Sequence, residues 1–175
     1  MSTASIVDSR AGSRSMAAMS AILAVTGFVV LTAMGAHARF PLPFTPVPVT
    51  MQVFVVILAG LCLTPRQAFA SQAIYVIGGL SGLPLLAHAG LGTIGYLVGF
   101  VAAAPLVSFA ARRGFAAVGG LAGVLVIHVL GCAGLAASGV PAGLPVIAAG
   151  SLVFLPGDIL KVLLAVKASR MARKN

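Results

Sequence analysis

The chain reads as an all-α, polytopic membrane protein, a single bundle of six transmembrane helices. Three observations predict this. Hydrophobic residues make up 60% of the 175 residues and charged residues 7%, where soluble domains carry about a quarter charged residues. Several apolar runs approach the roughly 20 residues that cross a bilayer. The basic residues fall between and after those runs, as the positive-inside rule requires. Mean hydropathy is +1.14. The net charge of +9 is therefore no nucleic-acid footprint, because the cations are not gathered on a soluble face. The expected surroundings are a lipid bilayer.

Residues 1–15, rich in Ser and Ala with Asp8, Arg10 and Arg14, read as an unstructured cytoplasmic tail, and residues 16–175 as one membrane domain. The first apolar run, Met16–Ala36, has a basic flank and an Ala36-His37-Ala38 triplet that imitate a signal peptide. It is longer than the usual apolar core of about 7–15 residues, and further spans follow, so it reads as an uncleaved first helix. Ala17, Ala21 and Ala24 lie along one stripe of it. Small residues so placed let a second helix approach closely in a membrane.

His37–Val49 contains Pro41, Pro43, Pro46 and Pro48. Proline lacks an N–H and fixes φ, so this is a stiff non-helical loop and a candidate lid. Thr50–Leu63 reads as a short second helix with Gln52 near one end, closed by Thr64-Pro65-Arg66. The third span, Gln67–Leu80, carries Gln72 and Tyr75 and ends at Gly78-Gly79 and Gly82-Leu-Pro84. His88 lies in the loop that follows. A fourth span, Leu91–Ala111, contains Tyr96 and ends at Arg112-Arg113. The fifth, Phe115–Ala137, holds His128 and Cys132. After a Gly- and Pro-containing connection, Val146–Leu155 reads as a short or re-entrant piece and Pro156–Arg173 as the sixth helix, since Pro is well tolerated in a first helical turn. The alternative is one helix from Leu144, kinked at Pro156.

Six spans place Arg10, Arg14, Arg66, Arg112, Arg113, Lys167, Arg170, Arg173 and Lys174 on one side, with Arg39 alone opposite and Lys161 within the membrane. Both termini are then expected in the cytoplasm. The Pro-rich loop, the His88 loop, Gln52 and the start of the last helix converge on the outer half.

The chemistry concentrates in Phe154-Leu-Pro-Gly-Asp-Ile-Leu-Lys161. Asp158 is one of only two carboxylates in the chain. Lys161 is three residues on, so the two share a helix face, and Asp158 would gain from the positive helix start. Ionisable residues among apolar helices are by default a functional site. A structural ion pair is the plainer alternative, but desolvation often outweighs the Coulombic gain of a buried pair, so a polar ligand explains it better. Gln52, Gln72, Tyr75 and Tyr96 are further candidates for ligand hydrogen bonds or, equally, for helix–helix contacts.

Other motifs carry less. Gly90-Leu-Gly-Thr-Ile-Gly95 matches a dinucleotide fingerprint but lacks the strand, the βαβ unit and the downstream acid. These glycines, and the pairs Gly95/Gly99, Gly119/Gly123 and Gly78/Gly82, read as close-approach positions between helices. His37, His88 and His128 are too scattered for a metal site; His128 reads as a core histidine. Cys62 and Cys132 sit singly in apolar runs and read as small buried hydrophobes. An enzyme would need tuned acid–base pairs or an activated nucleophile, and neither is present. No cofactor is implied. No phosphate loop exists to drive transport. The chain has a ligand site without an engine, which fits a binding subunit that borrows energy from partners.

Phe44-Thr-Pro-Val-Pro-Val-Thr-Met-Gln52, Leu58-Ala-Gly60, Gly82-Leu-Pro84, Gly95-Tyr-Leu-Val-Gly99 and Phe154-Leu-Pro-Gly-Asp-Ile-Leu-Lys161 resemble, in order, the BioY family, the biotin-specific S-components of energy-coupling factor transporters. The resemblance covers about residues 16–170. It implies a bacterial inner-membrane subunit that captures biotin from outside, with a transmembrane coupling subunit and two cytoplasmic ATPases as partners. It further implies that Ala17 and Ala21, matching an Ala-x-x-x-Ala stripe on the first helix, meet the coupling subunit. Many members carry a longer Gly-rich stretch and a Gly-Pro-Thr before the Gly-Tyr. Here Ala87-His88-Ala-Gly-Leu-Gly-Thr93 is shorter and lacks that Pro, so contacts made there by the family do not carry over. Another vitamin, such as riboflavin or thiamine, is the first alternative ligand; a membrane assembly protein is the alternative of another class, followed by an intramembrane enzyme.

Overall fold

A computed structural model describes residues 3–43, 45, 47–86, 91–141 and 143–172. His88 lies outside the described residues. The elements are α1 (Thr3–His37), the strands β1 (Arg39–Phe40) and β2 (Val49–Thr50), α2 (Gln52–Cys62), α3 (Pro65–Leu80), α4 (Ile94–Arg112), α5 (Ala116–Ala137), α6 (Leu144–Ile147) and α7 (Leu155–Ala172). Residues 91–93 form a single 3₁₀ turn before α4, and residues 148–152 a π-helix between α6 and α7. By length and composition four helices suit a membrane crossing: Ser15–His37, Ile94–Arg112, Ala116–Ala137 and Leu144–Ala172. The other two expected spans form as helices but are shorter. At 1.5 Å per residue the 11 residues of α2 cover only about 16 Å.

Local signals explain most boundaries. Thr64 caps α3: its hydroxyl accepts from the Gln67 N–H, and the Gln67 side chain accepts from the Thr64 N–H, with Pro65 at the first position. Gly82 takes φ +95° just beyond the end of α3, a left-handed turn that glycine adopts without strain. A Cβ at Gly82 would meet nothing, so the pairing with Gly78 expected for helix packing is not its role. Gly95 is different. A Cβ there would collide with the Leu130 carbonyl and Gly134, and one at Gly99 would lie 2.9 Å from Ile127 Cα. Gly92 and Gly95 of the run that imitates a nucleotide loop, with Gly99, thus lie along the seam where the start of α4 meets α5.

Three expectations are corrected. Residues 3–14, expected to be unstructured, are helical backbone continuous with α1; no proline precedes Pro41, so nothing interrupts the first helix. Cys62, expected to be buried, is exposed at the end of α2. Val146–Leu155 is no re-entrant piece. Helical dihedrals run through the π-helix and Val153 (φ −64°, ψ −32°), and the Asp158 N–H donates to the Phe154 carbonyl at 2.9 Å. The path from Leu144 is one interrupted helix, close to the alternative reading, and its irregularity sits before Pro156 as a widened turn. The start of α7 is consequently not an open helix end, and the dipole support expected for Asp158 is blunted.

The Pro-rich segment is anchored at both ends. Arg39 pairs with Thr50 and Phe40 with Val49 in a two-residue antiparallel ribbon, a strand pairing absent from the sequence expectations. Thr45 Oγ1 donates to the Ala149 carbonyl in the π-helix at 2.6 Å. This end of the bundle therefore gathers the ribbon, the last turn of α3, the first turns of α4, the second half of α5 and the start of α7. The opposite end carries Arg66, Arg112, Arg113, Lys167 and Arg170.

Candidate functional site

Asp158 projects from the first turns of α7 and is 2% exposed; Lys161, one turn on, is 8% exposed. Lys161 Nζ donates to Asp158 Oδ1 at 2.7 Å. The other carboxylate oxygen, Oδ2, lies 3.0 Å from His128 Nε2 of α5. His128 is 4% exposed, and its second ring nitrogen, Nδ1, sits 3.1 Å from the Gly150 carbonyl. Tyr96 of α4 donates to that same carbonyl at 2.6 Å. A π-helix shifts its hydrogen-bond register and is frequent at functional sites. Here Ala149 and Gly150 present carbonyls that accept from side chains of three other segments. The result is a continuous chain of contacts: Tyr96, Gly150, His128, Asp158, Lys161.

Rings hold the imidazole in place. Phe154 stacks on it with centroids 6.3 Å apart, and Tyr96 meets it edge-on at 6.4 Å, arrangements that aromatic pairs prefer. A Cβ on Gly131 would run into the Tyr96 ring, so the bare backbone of α5 makes room for that side chain.

These groups open onto a pocket of about 80 Å³ with further space at its open mouth. Its walls are mostly apolar, among them Val53, Leu97, Phe100 and Ile127. Its polar groups are few and come from five helices and the ribbon: Gln52, Tyr75, Tyr96, His128, Asp158 and Lys161, with Arg39 and Thr50 contributed by the strands. Gln52 Nε2 donates to Tyr75 Oη at 2.8 Å, which joins α2 to α3 beneath the ribbon. A buried carboxylate flanked by donors, in an apolar pocket with a small set of placed polar groups, suits a polar organic ligand rather than a bulk ion.

Of the residues singled out from the sequence, Asp158, Lys161, Gln52, Tyr75 and Tyr96 line this cavity. Gln72 does not. It is fully buried between α1 and α3, where Nε2 donates to Thr32 Oγ1 and Ser71 Oγ, both at 3.3 Å, a helix–helix contact. Ala17 is exposed and Ala21 half-buried on α1, away from the cavity. His128, read as a core histidine, is the residue the sequence reasoning missed. Its spacing from Asp158 carries no signal, because thirty residues and a π-helix separate them. The one available clue was that it is the only histidine inside an expected span.

Comparison with known proteins places the fold in context. The model of the BioY family matches residues 7–175. The probable biotin transporter BioY of Bacillus subtilis is 32% identical over 162 residues, covering 83% of this chain and 81% of that one. The probable biotin transporter BioY of Lysinibacillus sphaericus is 39% identical over 98 residues, which span 53% of this chain and about half, 49%, of that protein. A crystal structure of the S-component for biotin from an ECF-type ABC transporter superposes with a TM-score of 0.80 at 24% identity, covering 90% of this chain and 92% of that chain. The shared fold is a helical membrane bundle.

Proposed function

The chain belongs to the BioY family, and we propose that it is a multi-pass membrane subunit that binds biotin and is not itself an enzyme. The observation that carries this reading is the buried Asp158–Lys161 pair opening into an apolar cavity at one end of the bundle. Biotin offers a ureido ring, with two N–H donors and one carbonyl acceptor, and a valerate carboxylate. Asp158 is the acceptor for a ureido N–H. Lys161 uses one of its three N–H donors on Asp158 and keeps others for a ligand oxygen. Charge-assisted hydrogen bonds are roughly twice as strong as neutral ones, and a site closed from water strengthens them. Gln52, Tyr75 and Tyr96 complete the polar contacts, while Gln72 supports the α1–α3 packing behind them. The Pro-rich segment, joined to the cavity wall through Thr45, forms its cover.

The rest of the reading concerns the assembly. Residues 16–175 act as one membrane domain in a bacterial inner membrane, with both termini in the cytoplasm. Arg66, Arg112, Arg113, Lys167 and Arg170 at one end support that orientation. The cavity then faces outward. Release of biotin follows movement of the subunit against a transmembrane coupling subunit driven by two cytoplasmic ATPases, with Ala17 and Ala21 of α1 as the contact. The exposure of Ala17 fits a surface kept for a partner helix. Calorimetric titration of the purified protein with biotin, riboflavin and thiamine tests the substrate. One-to-one binding of biotin alone is expected; binding of either other vitamin in its place would contradict the assignment.

A further inference from the structure

His128 stands outside the Asp158–Lys161 motif, yet one ring nitrogen meets that motif and the other the π-helix before it. Nε2 faces Asp158 Oδ2 at 3.0 Å and Nδ1 faces the Gly150 carbonyl at 3.1 Å. Both partners are acceptors. A neutral imidazole has one N–H, so it satisfies one of them; only the imidazolium satisfies both. Phe154 and Tyr96 fix the ring plane, and Tyr96 caps the same Gly150 carbonyl. The carboxylate is consequently gripped from two sides, Lys161 on Oδ1 and His128 on Oδ2. Each oxygen retains a lone pair for a third donor.

We propose that His128 is a positioning residue of the ligand site: it orients the Asp158 carboxylate toward the cavity and ties it to the π-helix through Gly150. This rests on the biotin reading above and deepens it. A lone Asp158–Lys161 pair on one helix could rotate about two side-chain bonds. Adding His128 from α5 ties Oδ2 to a second helix while Lys161 holds Oδ1, so a ligand N–H meets an acceptor already aimed. Pre-organisation of this kind raises affinity by removing ordering costs at the moment of binding.

The test is a double-mutant cycle read by biotin titration, with thermal unfolding of each ligand-free variant as the control. His128→Phe keeps the stacked ring and removes both ring nitrogens; His128→Gln keeps an N–H donor. His128→Phe is expected to lose affinity about tenfold, the size of one hydrogen bond to a charged group, and His128→Gln to recover part of it. In an Asp158→Asn background, His128→Phe should cause little further loss. Wild-type affinity in His128→Phe, or a loss that simply adds to that of Asp158→Asn, would overturn the positioning role. Folded wild-type protein that binds no biotin would overturn the biotin reading and, with it, any role of His128 in binding.

A separate observation carries a second inference. Arg39 lines the cavity at the strand that forms its rim, while the other strong cation of the lining, Lys161, is held by Asp158. The chain has two carboxylates, and Asp158 is already held by Lys161 and His128. Among the described residues, the ion pairs are those of Asp158 with Lys161 and His128, and Arg39 at the mouth takes part in neither. We infer that Arg39 receives the carboxylate of a ligand whose polar ring lies at Asp158, so that biotin binds ring inward and valerate outward. The planar guanidinium fits a carboxylate in bidentate fashion. This too rests on the biotin reading. Biotin and its neutral methyl ester, titrated against wild type and Arg39→Ala, distinguish the possibilities. Wild type should prefer the acid by roughly tenfold or more, and Arg39→Ala should lose that preference by weakening the acid only. An equal fall for acid and ester, or none for either, would overturn the assignment and leave Arg39 as a contact for lipid phosphates or solvent. Failure of wild type to bind the acid at all would instead remove the biotin reading on which it depends.

Discussion

At the basic end of the bundle, Ile57 of α2, Val107 of α4, Val124 of α5 and Val162 of α7 pack into a closed apolar cluster. Glycines set its spacing: a Cβ on Gly60 would lie 2.6 Å from Val107 Cβ, and one on Gly120 would lie 2.7 Å from Val162 Cγ1. At the ribbon end the same four helices part around a cavity, and polar groups are buried there: Gln52, His128, Asp158 and Lys161. Regular helix gives way to a 3₁₀ turn and a π-helix at this end alone among the described residues. The contrast teaches where this chain invests in stability and where it invests in a ligand. In a membrane, close packing of small residues holds helices together, and this lets the other half tolerate buried charge, free space and irregular backbone. Proteins commonly break local rules at functional sites.

Among substitutions, the largest effect is expected at the charged end. Asp158→Ala leaves Lys161 and His128 buried without their shared carboxylate. Removing one partner of a buried pair costs about 3–5 kcal/mol, so thermal unfolding in detergent should fall sharply while biotin binding disappears. Survival of full stability would mean that the pair is hydrated. Next comes Gly120→Val at the basic end. Overpacking of this kind costs about 1–3 kcal/mol; stability should drop while the folded fraction keeps wild-type biotin affinity. A parallel loss of affinity would show that the two ends are not independent. Tyr96→Phe removes only the hydroxyl that donates to Gly150. Its expected effect is about 1 kcal/mol, seen as a several-fold weaker biotin affinity with the fold retained. Smallest in binding is the pair Ala17→Leu and Ala21→Leu, which should leave biotin affinity unchanged and weaken co-purification of the coupling subunit. Loss of binding with assembly intact would reverse the role given to this stripe.

The fold was legible in the sequence because lipid imposes a simple code. Apolar runs, their basic flanks and the capping signal at Thr64-Pro65-Arg66-Gln67 mark the helices without any need of tertiary detail. The Asp158–Lys161 pair was legible for the same reason, since charge among apolar residues is rare and three-residue spacing fixes a shared face. What escaped depends on contacts between distant segments. His128 became part of the site only once α5 packed against α7. Nothing in Ala148-Ala-Gly-Ser-Leu152 announces a π-helix, whose exposed carbonyls are answered by Thr45, Tyr96 and His128. Gln72 has the composition of a ligand residue, yet it faces Thr32 of α1 instead of the cavity, a choice made by helix rotation that polarity alone does not specify.

The central claim is that the Asp158 end of the bundle binds biotin. Equilibrium binding of radiolabelled biotin to purified wild-type protein and to Asp158→Asn, both verified as monodisperse and folded, tests it most directly. The account predicts saturable one-to-one binding in wild type and at least a tenfold weaker affinity in Asp158→Asn, the loss expected when a charge-assisted hydrogen bond becomes a neutral one. Equal affinity in the two proteins would contradict it.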